Sequence, residues 1–513
     1  MGKVIEVMDT TLRDGLQAGS LAMTVQEKLA IASFLLTGVG VDRIEVASAR
    51  TPKGENDWLK IITLWAKEHD KLDRIEVLGL VDIKQSADWI AESGCKVMNL
   101  LVKGAEDYCL SIGKTCDRHI EEMLETIDYC KNIGLMVNIY LEGWSEGVQT
   151  SWDYLKRILH SIPQHKVERV MLCDTMGILY PAQIGGFVKK TLKILYYSKV
   201  DVHMHDDYGL ATANTLAGVS TGLVSGVHVT VNSMGERAGN ASLEQVVVGI
   251  NDLTNHATKV SEPLLKKLCQ MASSFCGRPI PANAPIAGSN IFVDGCGVHV
   301  HGRKKGAYAT RLIADRFGST HTSAISSLSG KSGLRSALEQ ELGITTLNNS
   351  EIQSLLDKVS ELHLNGHRLT AGHLLSLVSE VLNQPERIVL SVKNGDVISR
   401  SVLGGKANVQ AKLLYRNEEI QFESYGDGGF DAFMNGLKTW AVTSHICIPE
   451  LLDFSIRIPS EGKTDALTEV DIRWSRLDGR GEFHTIGTSS DQVMASIHSA
   501  IMAVNVCNQN VAS

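Results

Sequence analysis

Short runs of β-branched and apolar residues alternate with amphipathic stretches of helical period through the first half of the chain. This rhythm limits the possible folds more than any other feature. Candidate strands begin near Val4, Val41, Arg74, Lys96, Met136, Arg169, Val200 and Gly226, eight in all. Between them lie helix-like stretches such as Thr24 to Leu36, Glu55 to Lys67, His119 to Asn132, Trp152 to Ile162, Pro181 to Leu195 and Leu210 to Thr221. Eight strand-helix units in about 250 residues predict a closed (β/α)8 TIM barrel. An open, doubly wound sheet is the alternative with the same rhythm.

A barrel of this kind collects its active site at the C-terminal ends of the strands. The polar residues fall there: Arg13, Asp14 and Gln17 after the first strand, Glu45 on the second, Glu142 on the fifth, and Asp174 with Thr175 on the sixth. The seventh ends in His203-Met204-His205, and the eighth leads into Asn232-Ser233-Met234-Gly235-Glu236-Arg237-Ala238-Gly239-Asn240. Strands three and four end in Leu78 with Leu80 and Leu100 with Leu101. Side chains two apart on a strand share a face, so His203 and His205 can address one ion. Asp14 would complete a two-histidine, one-carboxylate set that leaves coordination positions for substrate. By itself the histidine spacing also fits a solvated strand face. A polar mouth with apolar patches suits a small carboxylate bearing a short apolar tail.

We read residues 1–270 as the catalytic barrel and 271–323 as a mobile connector that opens with the proline-rich Arg278-Pro279-Ile280-Pro281-Ala282-Asn283-Ala284-Pro285. Residues 324–386 read as a helical subdomain and 387–513 as an α+β domain with no catalytic cluster of its own. The chain is 43% hydrophobic and 21% charged, ordinary for a globular protein. Its formal charge of −8, without a long basic block, argues against nucleic acid and anionic membrane as partners. The opening Met1-Gly2-Lys3-Val4-Ile5-Glu6 has no signal-peptide core, and no segment is apolar enough to span a bilayer. Ten cysteines scattered singly fit reduced thiols in a cytoplasmic protein.

Asp9-Thr10-Thr11-Leu12-Arg13-Asp14-Gly15-x-Gln17, His203-x-His205 and Gly235-Glu236-Arg237-Ala238-Gly239-Asn240 together resemble the 2-isopropylmalate, homocitrate and citramalate synthase family of metal-dependent barrels. The likeness runs nearly end to end, and within the family it is greatest to (R)-citramalate synthases with long regulatory tails. Val41 to Arg50, Asn138 to Glu142 and Lys463 to Leu467 carry that finer resemblance. It implies condensation of acetyl-CoA, as co-substrate, with a 2-oxo acid, followed by thioester hydrolysis. Pyruvate is the expected acceptor and 2-oxoisovalerate the alternative; no extra cation awaits a second substrate carboxylate, which counts against homocitrate synthesis. A divalent ion (Mn, Mg, Zn or Co) would stabilise the forming alkoxide as a Lewis acid.

The resemblance also implies roles. Asp14, His203 and His205 match metal ligands, with Asn240 a weaker or indirect member. Arg13 adds a second cation and Thr175 holds the oxo-acid carboxylate, while Gln17 belongs to the substrate motif and Glu45 orients Arg13. Leu78, Leu101 and Tyr140 match the wall of the tail pocket. Glu142, His299 and Tyr308 match residues assigned to enolisation or water activation; Glu142 as a rim ion pair and His299 as an ordinary loop histidine are the plain alternatives. Because His299 and Tyr308 lie beyond the barrel, the connector is expected to reach over an active site in a partner subunit, which implies a homodimer. Phe430, Asp431, Leu451, Phe454 and Ile458 are the candidates for a branched-chain amino-acid inhibitor pocket, against the alternative of a plain dimer core. Leu16, Cys173, Gly143, Glu146 and Asp206 depart from the usual family text. Asp206 adds a negative charge expected to lie near the ion. A lyase or aldolase of the same superfamily, and a non-catalytic paralogue, are the rival readings.

Overall fold

The computed structural model describes residues 2–49, 54–163, 166–195, 199–294, 302, 306–307, 310–319, 322–323, 330–364, 369–393, 395–401, 404–458, 466–477 and 481–509. They form two compact units, Met1–Ile291 with Arg311–Ser319, and Phe292–Thr310 with Thr320–Ser513.

The first unit is a closed parallel barrel of eight strands: β1 (Glu6–Asp9), β2 (Arg43–Ser48), β3 (Ile75–Leu80), β4 (Val97–Lys103), β5 (Met136–Glu142), β6 (Arg169–Asp174), β7 (Lys199–Met204) and β8 (Gly226–Val229). Each pairs with its sequence neighbour, and β1 closes the ring on β8 with Glu6 opposite Gly226 and Asp9 opposite Val229. Every strand starts within two residues of its position read from the sequence. The open-sheet alternative is thereby excluded. The helical pattern was less complete: Gln85–Glu92, Glu106–Ser111, Trp144–Thr150 and Leu243–Leu253 are further helices.

The pleat sorts the side chains. On β7, Val200 and Val202 face the surrounding helices, so Asp201 and His203 must face the interior. The same alternation turns Arg43 and Glu45 inward on β2, Glu76 and Leu78 on β3, Asn99 and Leu101 on β4, Asn138 and Tyr140 on β5, and Arg169, Met171 and Cys173 on β6. The interior is therefore layered. At its N-terminal floor Arg43 donates to Glu76 at 2.7 Å and to Asp201 at 2.6 Å, and Arg169 donates to both Asp201 oxygens at 2.6 and 2.7 Å. Burial pushes the Asp201 carboxyl up, but Arg43 and Arg169 overcome it and hold the group well below the usual carboxylate range. Above the floor come Met8, Leu78, Tyr140, Met171 and Cys173, packed together. The polar mouth lies above them.

The second unit contains the helices Lys331–Leu342, Asn349–Leu364 and Ala371–Val381. It also has two antiparallel sheets, one of four strands and one of three, with the helices Gly429–Ser444 and Gln492–Asn508. Ala407–Tyr415 and Glu418–Gly426 form a hairpin whose two turn residues, Arg416 and Asn417, both have positive φ (49° and 71°). A two-residue turn of that hand matches the natural twist of the strands. Phe433, Leu437, Val470, Ile472, Trp474 and Val504 lie in one continuous core.

His119, at the start of the helix Cys116–Asn132, is buried between the Tyr154 hydroxyl (2.9 Å) and the Lys103 backbone N–H (3.4 Å). Burial, with Lys114 and Lys103 nearby, pushes its imidazole down to about 4 from an ordinary 6.5. A ring kept neutral by the fold binds fewer protons than the unfolded chain between those values. Its contribution is complete above pH 6.5 and is lost as pH falls through that window. Urea unfolding should show this group costing on the order of 2 kcal/mol between pH 7 and pH 5. His119→Gln should remove that part of the slope.

Candidate active site

The turn after β1 aims two charged groups across the mouth. Asp9 accepts from the Thr11 backbone N–H and hydroxyl, both at 2.9 Å, and the N–H groups of Arg13, Asp14 and Gly15 all point at the Thr10 carbonyl, at 3.2, 2.8 and 3.1 Å. Asp9 is held inside the fold, and burial outweighs the Thr11 bonds to push its carboxyl up to about 7. This tight turn leaves Arg13 and Asp14 over the strand ends.

Asp14 Oδ2 lies 3.1 Å from His203 Nε2 and 4.0 Å from His205 Nε2, and the two Nε2 atoms are 3.4 Å apart. All three residues are buried, and their ligand atoms lie within 4.8 Å of one another. At coordination distances of about 2.0–2.2 Å, atoms sharing one cation stand at most about 4.4 Å apart, so the cluster fits a single ion. Among the described residues, Asp14 Oδ2 and Asn240 Oδ1 are buried with no hydrogen-bond partner, Asp14 Oδ2 facing the two imidazole nitrogens. Burial, then the neighbouring His203, push the His205 imidazole down to about 4, which leaves it neutral with a lone pair to give. Burial opposes ionisation of Asp14, but Arg13 and His203 hold its carboxyl well below the usual range. One carboxylate and imidazole donors in a dry cleft are the donor set of a divalent cation.

Asn240 joins the cluster through the backbone, in an antiparallel bridge to His205, while its amide nitrogen donates to the Met234 carbonyl at 3.2 Å. The loop that brings it there needs glycine. Gly239 has φ of +99°, and a Cβ on it would meet the Ser233 carbonyl oxygen at 1.8 Å.

Arg13 donates from Nε to Glu45 Oε2 at 2.5 Å, lies 3.4 Å from Asp14 Oδ1 and sits 5.6 Å over the Tyr140 ring. Glu45 also accepts from Asn99 at 2.7 Å, so the orienting role expected of Glu45 has its geometry. Leu78 and Tyr140 pack in one apolar cluster with Leu101 against it, joined by Cys173, noted in the sequence as a departure from the family text, and by Met8 and Met171, which no motif had marked. Thr175 accepts from the Gly143 N–H at 2.8 Å. Glu142 forms an ion pair with Lys103, opposite it across β4 and β5. The rim-pair alternative thus describes its partner in the free protein. Gln17 is exposed on the short turn Gly15–Gln17. His299 and Tyr308 lie outside the described residues.

The Asp206 carboxylate accepts from the Ala211 N–H at 2.8 Å, at the start of the helix Ala211–Ser220, and burial pushes its carboxyl up. Arg237, part of the Gly235–Asn240 motif but given no role from the sequence, holds Asp207 with two bonds of 2.7 and 3.0 Å and reaches the Thr175 carbonyl at 2.7 Å, tying together the loops after β6, β7 and β8. Lys103 was also missed, although its position two residues after Leu101 on the inward face was readable.

In the second unit the rings of Phe430 and Phe454 meet at 5.5 Å. Asp431 accepts from the Asp427 N–H at 2.9 Å and from Asn435 at 3.2 Å within its own helix start. Leu451 and Ile458 are exposed.

A closed eightfold barrel with a buried Asp-His-His cluster at its C-terminal mouth defines a barrel enzyme with a candidate metal centre. Residues 4–273 match the HMGL-like family, and residues 368–507 match the LeuA allosteric (dimerisation) domain. The chain is 30% identical over 508 residues to the (R)-citramalate synthase of Methanocaldococcus jannaschii, covering 98% of this chain and 99% of that one. The 2-isopropylmalate synthase of Sulfurisphaera tokodaii is 32% identical over 370 residues, covering 72% and 93%. A probable 2-isopropylmalate synthase of Methanopyrus kandleri is 29% identical over 506 residues, covering 98% of both chains. The chain belongs to the family of citramalate and 2-isopropylmalate synthases.

Mn2+ at about a hundred times its Kd should raise the free energy of unfolding by about 2.7 kcal/mol. Asp14→Asn should abolish that gain, with binding followed by calorimetry on both proteins.

Proposed function

We propose that this chain is an acyltransferase that condenses acetyl-CoA with pyruvate to give (R)-citramalate and free CoA. The full-length relatives carry both family names at nearly equal identity, so overall similarity does not choose the acceptor. The observation that carries the choice is the apolar cluster of Leu78, Tyr140, Met171 and Cys173, with Leu101 against it, packed beside Arg13 and the Asp-His-His group. A wall built of these bulky groups favours a methyl tail over an isopropyl tail. A methylene in such a pocket is worth about 1–3 kcal/mol.

In this reading Asp14, His203 and His205, with Asn240 behind them, hold a divalent ion. When bound, that ion supplies Lewis-acid stabilisation of the acceptor's ketone oxygen. Arg13, held at fixed geometry by Glu45, adds a second positive group where negative charge grows. The Thr175 oxygen already accepts from Gly143, so its own proton is available to the acceptor carboxylate. Glu142 is assigned, with His299 and Tyr308, to enolisation or water activation: the base takes the proton from the acetyl methyl carbon, whose carbanion attacks the ketone carbon. The alkoxide takes up the proton that the base removed, and water then adds its hydroxyl to the thioester carbon and its proton to the leaving sulfur, releasing free CoA. His299 and Tyr308, carried by the connector 271–323, are assigned to enolisation or water activation from a partner subunit. The match to a dimerisation domain supports a homodimer in which 1–270 catalyses, 324–386 links and 387–513 senses. That second domain also favours a synthase over a lyase of the same superfamily. Phe430, Asp431, Leu451, Phe454 and Ile458 form the proposed branched-chain amino-acid site. Among the described residues no helix is long and apolar enough to cross a membrane, and Cys95, Cys109, Cys116, Cys130, Cys173, Cys269 and Cys276 are free thiols, which supports a reducing, cytoplasmic setting.

Mixing protein, Mn2+ or Mg2+, acetyl-CoA and a panel of 2-oxo acids should release free thiol with pyruvate above all others. Preference for 2-oxoisovalerate would reassign the chain to 2-isopropylmalate synthesis, and silence with every acid would end the synthase reading. Arg13→Lys should lower turnover by about two orders of magnitude. Calorimetry should detect leucine or isoleucine binding to the full chain, and Phe430→Ala should weaken it.

A further inference from the structure

The Tyr140 hydroxyl is buried in the middle of the barrel with a single proton to give. Two acceptors flank it: His228 Nδ1 at 3.0 Å and Glu45 Oε2 at 3.3 Å. His228 is an inward residue of β8 that belongs to none of the motifs, and it is 1% exposed. Its other nitrogen, Nε2, lies 3.3 Å from Asp201 Oδ2, an ionised oxygen that can only accept. The proton of a neutral His228 ring therefore belongs on Nε2, which leaves Nδ1 as an acceptor. Glu45 Oε2 already receives Arg13 Nε at 2.5 Å, and Oε1 receives Asn99 at 2.7 Å. The Tyr140 proton thus goes to the nearer atom, His228 Nδ1. Tyr140 donates to His228, and His228 donates to Asp201, which the arginines of the floor hold in place.

The consequence lies at the other end of the ring. Tyr140 packs with Leu78, Met171 and Cys173, touches His203 edge-on at 5.6 Å between centroids, and lies beneath the Arg13 guanidinium. A tyrosine ring turns about two bonds, and its hydroxyl contact is what fixes its depth and tilt. We propose that His228 is a positioning residue for acceptor choice: by anchoring the Tyr140 hydroxyl from below, it sets how tightly the ring closes on the tail of the 2-oxo acid. This rests on the reading of function above. His228 is buried between Tyr140 and Asp201 and also meets the His203 ring edge-on at 5.5 Å between centroids, so it acts through these side chains and not on the substrate itself.

Wild type, His228→Leu, His228→Gln and Tyr140→Phe should be compared in two ways. One is kcat/KM with pyruvate, 2-oxobutanoate and 2-oxoisovalerate. The other is the calorimetric Kd of each acid for the Mn2+-loaded protein without acetyl-CoA. His228→Leu and Tyr140→Phe should each lower the pyruvate to 2-oxoisovalerate ratio by about tenfold in both measurements. Combining them should add nothing further, and His228→Gln, which keeps a polar partner, should restore most of the ratio. A merely structural role would reduce activity with all acids alike; an unchanged ratio overturns the proposal. Should His228→Leu fail to fold, His228→Gln and Tyr140→Phe decide together: Tyr140→Phe keeps the ring but loses both the His228 anchor and the 3.3 Å contact to Glu45, and His228→Gln alters the anchor alone. If wild type binds no 2-oxo acid, the functional reading and this inference fall together. If it binds them and the ratios do not move, only the inference falls.

Discussion

Asp201 and its two arginines hold up the centre of this molecule. Arg43 and Arg169 come from strands on either side of the barrel interior, and both end on one carboxylate at 2.6–2.7 Å. A buried ion group of this kind is not a cheap source of stability, since desolvation takes back much of the Coulomb gain. What it does supply is definition. A carboxylate pinned from two sides cannot rotate, and the next polar residue above it, His228, inherits its orientation.

From that floor the interior rises as a series of fixed contacts. His228 meets Tyr140, Tyr140 stands beside Arg13 and His203, and Arg13 is braced by Glu45 against Asp14. The reactive mouth is thus mounted on a column of side chains, and the loops supply only the uppermost groups. Loops alone would leave Arg13 and Asp14 free to drift, and a misplacement of about 1 Å at a catalytic centre can cost a hundredfold in rate. The loops have their own fastening in Arg237, which ties Asp207 to the Thr175 carbonyl.

The layering also separates two demands. Apolar contacts around Leu78, Met171 and Cys173 can select a substrate tail by size, while the charged groups above them act on the reacting end. Because these layers share Tyr140, size selection and electrostatics are mechanically coupled. The second unit has a different logic: its two larger sheets are antiparallel, its apolar core encloses a few hydrogen-bonded polar groups such as Thr485 with Ser499, and its Phe430–Phe454 contact is made from a strand that is otherwise exposed.

Period and spacing in the sequence were enough for the eight strands, because a strand buried on both sides must be apolar or inward-polar along its whole length. They were also enough for the Asp14, His203 and His205 set, since residues two apart on a strand share a face and strand ends share a mouth. That Leu78, Leu101 and Tyr140 belong together was implied by the family resemblance and not by spacing, and the structure packs them in one apolar cluster. The partners across the barrel were not legible. Lys103 with Glu142, Arg237 with Asp207, and His228 between Tyr140 and Asp201 join residues up to 88 positions apart, and no local pattern records which inward side chains meet. The bond from the Ala211 N–H to the Asp206 carboxylate was equally hidden, because only the folded loop brings the two together. Sequence determined which side chains point into the barrel; closure of the sheet decided which of them touch, because distance through space is set by the ring and not by the chain.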